Sequence, residues 1–204
     1  GDDIQAVKTF AEKLETYATL IVRKGCNLQP GQDLQISCDI ASAPLARAVT
    51  RAAYAADAHR VWVSFSDESI AHMTYEHCDV ETFEKFPAWT ALENNTLARE
   101  GCAMLSITSE DPEALAGIDP AKLMTAARAA HIACKEFYDR LDFGRCVWCI
   151  VGGAAPAWAH HVFPDISEDE ALEKLWDAIL HTARADGDDP LADWEAHDRS
   201  FQER

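Results

Sequence analysis

Apolar side chains return at helical spacing along residues 4–24, where Val7, Phe10, Leu14, Tyr17, Ala18 and Ile21 fall on one face and Gly25 supplies a stop. Asn27-Leu28-Gln29-Pro30-Gly31-Gln32 then reads as a turn, because Pro30 fixes φ and Gly31 accepts the positive φ of a type II turn. From there the pattern alternates. Short, nearly continuous apolar runs at 34–40, 59–65 (HRVWVSF), 102–108 (CAMLSIT) and 145–151 (RCVWCIV) predict four strands. Between them, 3.6-residue periodicity predicts helices over 44–56, with Ser42 as candidate cap, over 68–78, and in two or three pieces over 80–100. An Ala-rich helix is expected over 120–140, entered through Asp119, followed by a short helix at 157–162, a longer one at 167–183 and a last helical pattern at 190–204.

Strands without polar alternation, separated by helices, are what a sheet buried on both faces requires. The expected architecture is a three-layer α/β domain with an open, mostly parallel sheet and helices on both faces. Residues 1–185 read as this domain. After Asp186-Gly187-Asp188-Asp189-Pro190 a further helix starts and runs to Arg204 without a cap, Gly or turn. Residues 186–204 are therefore expected to be a linker and helix leading toward a domain that this sequence does not contain.

With 48% hydrophobic residues in 204, the chain can bury a sizeable core. Its 18 Lys and Arg against 35 Asp and Glu leave a net charge of −17, which repels phosphate backbones and anionic lipid. Nucleic acid and membrane are thereby excluded as expected partners. Seven cysteines, an odd number set mostly in apolar runs, suit reduced thiols in the cytoplasm, and no run of about 18 apolar residues predicts a membrane span.

Candidate chemistry is sparse. The first strand leads into Asp39-Ile40-Ala41-Ser42-Ala43-Pro44 without a glycine, and the fourth into Gly152-Gly153-Ala154-Ala155, which is neither GxGxxG nor a P-loop. Gly152 and Gly153 nonetheless stand at a strand's carboxyl end, where open sheets bind ligands; the alternative is a tight packing turn. Ser64, Ser66, Ser106 and Ser109 lack the GxSxG context of a nucleophile elbow and read as turn and cap hydroxyls. Glu76-His77 lacks the second histidine of HExxH. Cys146 and Cys149, three apart on a strand, point to opposite faces and read as small thiols flanking Trp148. His131 and Cys134 have no third ligand, His160-His161 diverge by about 100° on a helix, and Asp186, Asp188 and Asp189 meet Pro190 where a calcium loop needs another ligand. Asp177 with His181, and Glu81 with Lys85, are helix-surface pairs. Trp62 and Trp148 are assigned to core strands, and Trp89, Trp158, Trp176 and Trp194 to helix faces, one or two of which face a partner domain or subunit. No catalytic, cofactor-binding or metal residue is assigned.

Several segments nevertheless carry a resemblance. Phe10-Ala11-Glu12-Lys13-Leu14 before Tyr17-Ala18, Asn27-Leu28-Gln29-Pro30-Gly31-Gln32, Tyr75-Glu76-His77 and Phe86-Pro87-Ala88-Trp89 are followed by Ala155-Pro156-Ala157-Trp158-Ala159, Val162-Phe163-Pro164 and Leu172-Glu173-Lys174-Leu175-Trp176. In this order and spacing the chain resembles the N-terminal half of the M29 metallo-aminopeptidases, the thermophilic aminopeptidase type. The resemblance implies a parent about twice this length, beyond a single core of this size, that removes N-terminal amino acids from peptides with two divalent metals, zinc or cobalt. Those metals and their Glu, His and Asp ligands are expected in the missing C-terminal catalytic domain. This chain is expected to hold no cofactor, to be inactive alone, to support that domain and shape its cavity, and to belong to a homodimer when full length. Gly152-Gly153-Ala154 departs from the proline-containing turn the family tends to carry there. The competing expectation is a stand-alone small-ligand or protein-binding α/β module.

Overall fold

The computed structural model describes residues 9–108, 113–143, 147–153, 159–160 and 162–182. The first helix, α1 (Phe10–Leu20), opens on a capping box: Thr9 Oγ1 accepts from the Glu12 backbone N–H, and the Glu12 carboxylate accepts from the Thr9 N–H. It then widens into a π-helical turn, Ile21–Gly25, in which Cys26 N–H donates to the Ile21 carbonyl at 2.8 Å. The turn that follows is the one expected. Gln32 N–H donates to Gln29 O, and Gly31 takes φ of 79°.

Chain order continues through β1 (Leu34–Asp39), a 3₁₀ turn (Ile40–Ser42), α2 (Ala43–Ala55), β2 (Val61–Ser66), α3 (Glu68–His77), a second 3₁₀ turn (Val80–Glu84) and α4 (Ala88–Arg99). Then come β3 (Ala103–Thr108), α5 (Pro120–Ala133), α6 (Lys135–Asp142), β4 (Trp148–Gly152) and α7 (Glu168–Thr182). All strand pairs are parallel and the order is β2-β1-β3-β4, so the chain reverses its direction of growth between β1 and β3. The α/β reading therefore stands.

Two details differ from the sequence expectation. Ser42 precedes α2 but makes no capping bond with its side chain; Asp39 caps the 3₁₀ turn through Ala41 N–H instead. The Ala-rich helix is two helices rather than one, because Asn95 on α4 accepts from Phe137 N–H and donates to Ala133 O, each at 3.1 Å. Those contacts satisfy a start and an end that an unbroken helix would not have. Asp119 caps α5 as expected, through Ala121 N–H. The expected elements over 157–162 and 190–204 lie wholly or partly outside the described residues, as do the proposed linker and the first residues of the opening helix.

The main core fills one sheet face. Leu14 and Tyr17 of α1, Leu34 and Ile36 of β1, Leu45 and Val49 of α2, Leu105 of β3 and Trp176 of α7 are all buried in it. Phe10 meets Trp176 edge-on at 5.9 Å. A smaller cluster on the opposite face joins Ala98, Met104, Cys134 and Phe137, and Phe137 also meets Trp148 edge-on at 5.8 Å. The bidentate Arg99–Glu136 pair links α4 to α6 beside it.

Candidate functional site

An open parallel sheet offers ligands the crevice at its carboxyl edge where strand order reverses. Here that place lies between Asp39 and Thr108, with Gly152 and Gly153 alongside. The Asp39 carboxylate is already committed: one oxygen accepts from Ala41 N–H at 2.9 Å, the other from Glu68 N–H at 2.8 Å. It thereby caps the 3₁₀ turn and seats the start of α3. Gly153 N–H donates to Thr108 O, Thr108 Oγ1 donates to Val151 O, and the Tyr17 hydroxyl donates to Gly152 O at 2.9 Å.

Gly153 is a close-approach glycine. A Cβ there would stand 2.9 Å from both Ile107 Cγ2 and Ser42 Oγ, whereas one on Gly152 would meet nothing within 4 Å. Ser42 Oγ is fully buried with no hydrogen-bond partner. Apart from Ser42 Oγ, these described donors and acceptors pair with one another and tie α1, β3 and β4 together at this edge. Burial pushes the Tyr17 phenol up to about 12, assisted by the neighbouring Cys149. Cys149 in turn leans from β4 toward the end of α1, since a Cβ on Gly25 would lie 3.0 Å from its sulfur.

The other candidates scatter. Glu76 pairs with His72 one turn earlier at 2.8 Å, and the other His72 nitrogen bonds Ala114 O at 2.8 Å. The Ala114 carbonyl first, and Glu76 second, raise the His72 pKa. His77 lies on the next residue of α3, and no group of three or more His, Cys, Asp or Glu among the described residues could hold a metal. The donor set present here does not fit a metal centre. His131 packs against the Tyr138 ring at 4.4 Å, while Cys134 is buried at the break after α5 and accepts from Asn94. Asp177 reaches across to Lys13 at 3.4 Å. Lys85 ends a 3₁₀ turn, so its spacing from Glu81 is not that of an α-helical pair. His160 is exposed; Cys146, Ser109, His161, Asp186, Asp188 and Asp189 lie outside the described residues, as do Trp158 and Trp194.

The tryptophans on strands are less buried than their apolar runs suggest. Trp62 is 42% exposed beneath the Arg60 guanidinium, and Trp148 is 39% exposed, while Trp89 on α4 reaches 77%. Beside them the sheet's second face carries polar positions: Ser64 and Ser106, expected as turn and cap hydroxyls, instead stand inside β2 and β3, in register with Ser37 of β1. Buried Gln35 donates to Ser37 and Ser64, and the register continues from Ser37 through Ser106 to Ile150, which is 55% exposed.

A family model described as "Thermophilic metalloprotease (M29)" matches residues 10–204. Aminopeptidase 2 of Geobacillus stearothermophilus is 35% identical over 188 residues, which are 92% of this chain and 46% of that protein. Aminopeptidase AmpS of Bacillus subtilis (strain 168) is 34% identical over 196 residues, 96% of this chain and 48% of its own length. The solved structure of wild-type AmpT from Thermus thermophilus superimposes with a TM-score of 0.82 at 33% identity, covering 94% of this chain and 47% of that one. The chain thus spans about half the length of the curated relatives it matches.

Proposed function

The chain belongs to the M29 metalloprotease family, and from that membership we propose that it is the N-terminal, non-catalytic domain of a cytoplasmic aminopeptidase. In this reading residues 1–185 form the domain and residues 186–204 a linker and helix toward a C-terminal catalytic domain. That second domain carries the two divalent metals, zinc or cobalt, binds the peptide and releases its N-terminal residue. The present domain supports it and shapes access to its cavity, and the whole assembles as a homodimer.

The observation that carries this reading is the match over nearly all of the chain to aminopeptidases of which it spans only half. Among the described residues no group of three or more His, Cys, Asp or Glu could hold a metal ion. No described helix is long and apolar enough to cross a membrane.

The test is hydrolysis of free and N-blocked peptides, with zinc or cobalt added, by this chain and by the full product of its gene. Activity confined to the longer protein and abolished by blocking the substrate's N-terminus is the expected result. Activity in neither protein sinks the aminopeptidase reading; activity in this chain alone sinks the division of labour.

A further inference from the structure

We propose that the cavity between α5 and the Val80–Glu84 turn binds the C-terminal residue of a peptide, its apolar side chain inside and its carboxylate on Lys85. The cavity has a volume of about 350 Å³, near the lower end of the range of roughly 300–1,000 Å³ that ligand pockets span. It suits one side chain rather than an extended ligand. Tyr75 from the end of α3, Phe83 from the turn, Phe86 and Pro87 ahead of α4, and Leu123 of α5 line it. Two of the segments that carry the family resemblance, Tyr75-Glu76-His77 and Phe86-Pro87-Ala88-Trp89, therefore meet here. The function proposed above gives neither a role.

The space follows from what α5 presents. Besides Leu123 it gives the lining three alanines, whose methyl groups fill far less room than the side chains of a well-packed helix face, and no α5 residue is buried. The aromatic wall is held in place. The Tyr75 and Phe83 rings stack with centroids 4.8 Å apart, and Lys122 Nζ of α5 donates to the Tyr75 carbonyl at 2.8 Å, which ties α5 to the end of α3. Binding therefore does not have to order the walls first.

Charge selects the ligand. Among the described residues that line the cavity Lys85 alone is charged, and among the described residues it has no hydrogen-bond or ion-pair partner. In a chain with 35 Asp and Glu against 18 Lys and Arg, an unpaired lysine beside an aromatic cavity is complementary to an apolar anion. Its ammonium is a point charge on a flexible stem, and the residue is exposed, so it meets a carboxylate at the rim while the apolar body enters. A free amino acid would also bring an ammonium that no residue in this lining pairs, which costs binding energy. An N-acylated residue, which is the chemistry of a peptide's C-terminal end, brings the carboxylate alone.

The experiment is titration of the 204-residue chain with N-acetyl-phenylalanine, read by backbone amide chemical shifts. N-acetyl-phenylalaninamide, N-acetylglycine and free phenylalanine are titrated beside it. The expected result is saturable binding with Kd on the order of 1 mM and shifts centred on Phe83, Phe86 and Ala130, each comparison compound binding about tenfold more weakly. Lys85→Met should bring the acid down to the affinity of the amide while leaving the amide unchanged, a split that a merely structural lysine would not produce. Ala130→Phe, which fills the space, should abolish binding of the acid; if that variant does not fold, the Lys85→Met comparison decides. Equal binding of acid and amide, free phenylalanine held as tightly as its N-acetyl form, shifts centred elsewhere, or no saturation overturns the proposal. Binding is read without hydrolysis, so such a failure leaves the aminopeptidase reading standing.

Discussion

At Gly153 the loss of a single hydrogen decides whether β4 can end where it does. A methyl group there would meet Ile107 Cγ2 and Ser42 Oγ at 2.9 Å, and both belong to buried residues with little room to retreat. Gly153→Ala is therefore expected to cost about 1–3 kcal/mol through overpacking. Gly152→Ala, which adds its methyl to open space, should stay within about 0.5 kcal/mol; urea midpoints of the two variants make the comparison, and equal losses would refute the packing account. Tyr17 supplies the pH dependence of the same edge. Its phenol titrates near 12 in the folded chain against 10.0 when unperturbed, chiefly because it is buried. Below pH 10 both states hold the proton and the stabilisation is complete. As pH rises toward 12 the unfolded chain releases a proton that the folded chain keeps, so about 2–3 kcal/mol should be lost across that window. Tyr17→Phe should flatten this part of the stability curve, and an unchanged difference between the two proteins across pH 10–12 would place the loss on other groups. Neither residue announced its role. Gly153 was visible as a glycine at a strand end, but its neighbours Ser42 and Ile107 come from distant parts of the sequence, and Tyr17 read only as one more apolar position on a helix face.

Elements were more legible than contacts. Strand positions, the Pro30-Gly31 turn and the Asp119 cap follow from short-range chemistry, and the structure places each within a few residues of its expected bounds. The break at Cys134 was not legible, because Lys135 through Asp142 continue a good helical pattern and no Gly or Pro interrupts them. What splits the helix is a side chain from α4. Asn95 acts as an acceptor for Phe137 N–H and a donor to Ala133 O, compensating two backbone groups that would otherwise lack partners. Asn95→Ala should cost about 2 kcal/mol and expose the Phe137 amide to exchange. Asn95→Asp, which keeps the acceptor and loses the donor, should retain protection at Phe137. Hydrogen exchange resolved to that amide reads both; full protection in the alanine variant would mean that the break is held by packing alone.

At the scale of the molecule, the apolar runs foretold a parallel sheet but overstated how much of it is covered. β2 is an edge strand with Trp62 and Phe65 exposed, and the second face turns to Gln35, Ser37, Ser64 and Ser106 before reaching exposed Ile150. Apolar runs in both covered and uncovered strands look alike in one dimension, because coverage depends on helices supplied by other segments. Two opposing forces then govern how the isolated chain behaves in solution. Its exposed tryptophans and aliphatic side chains favour association, while a net charge of −17 keeps copies apart. Raising salt from 20 mM to 1 M shortens the screening length to about 3 Å and strengthens apolar contact less than it weakens repulsion. The chain should therefore sediment as a monomer at low salt and shift toward larger species at 1 M, with Trp62→Glu and Ile150→Glu together reducing that shift. A monomer at every ionic strength would show that the exposed apolar positions are too dispersed to cohere, and a dimer already complete at low salt would require a contact strong enough to outweigh the charge.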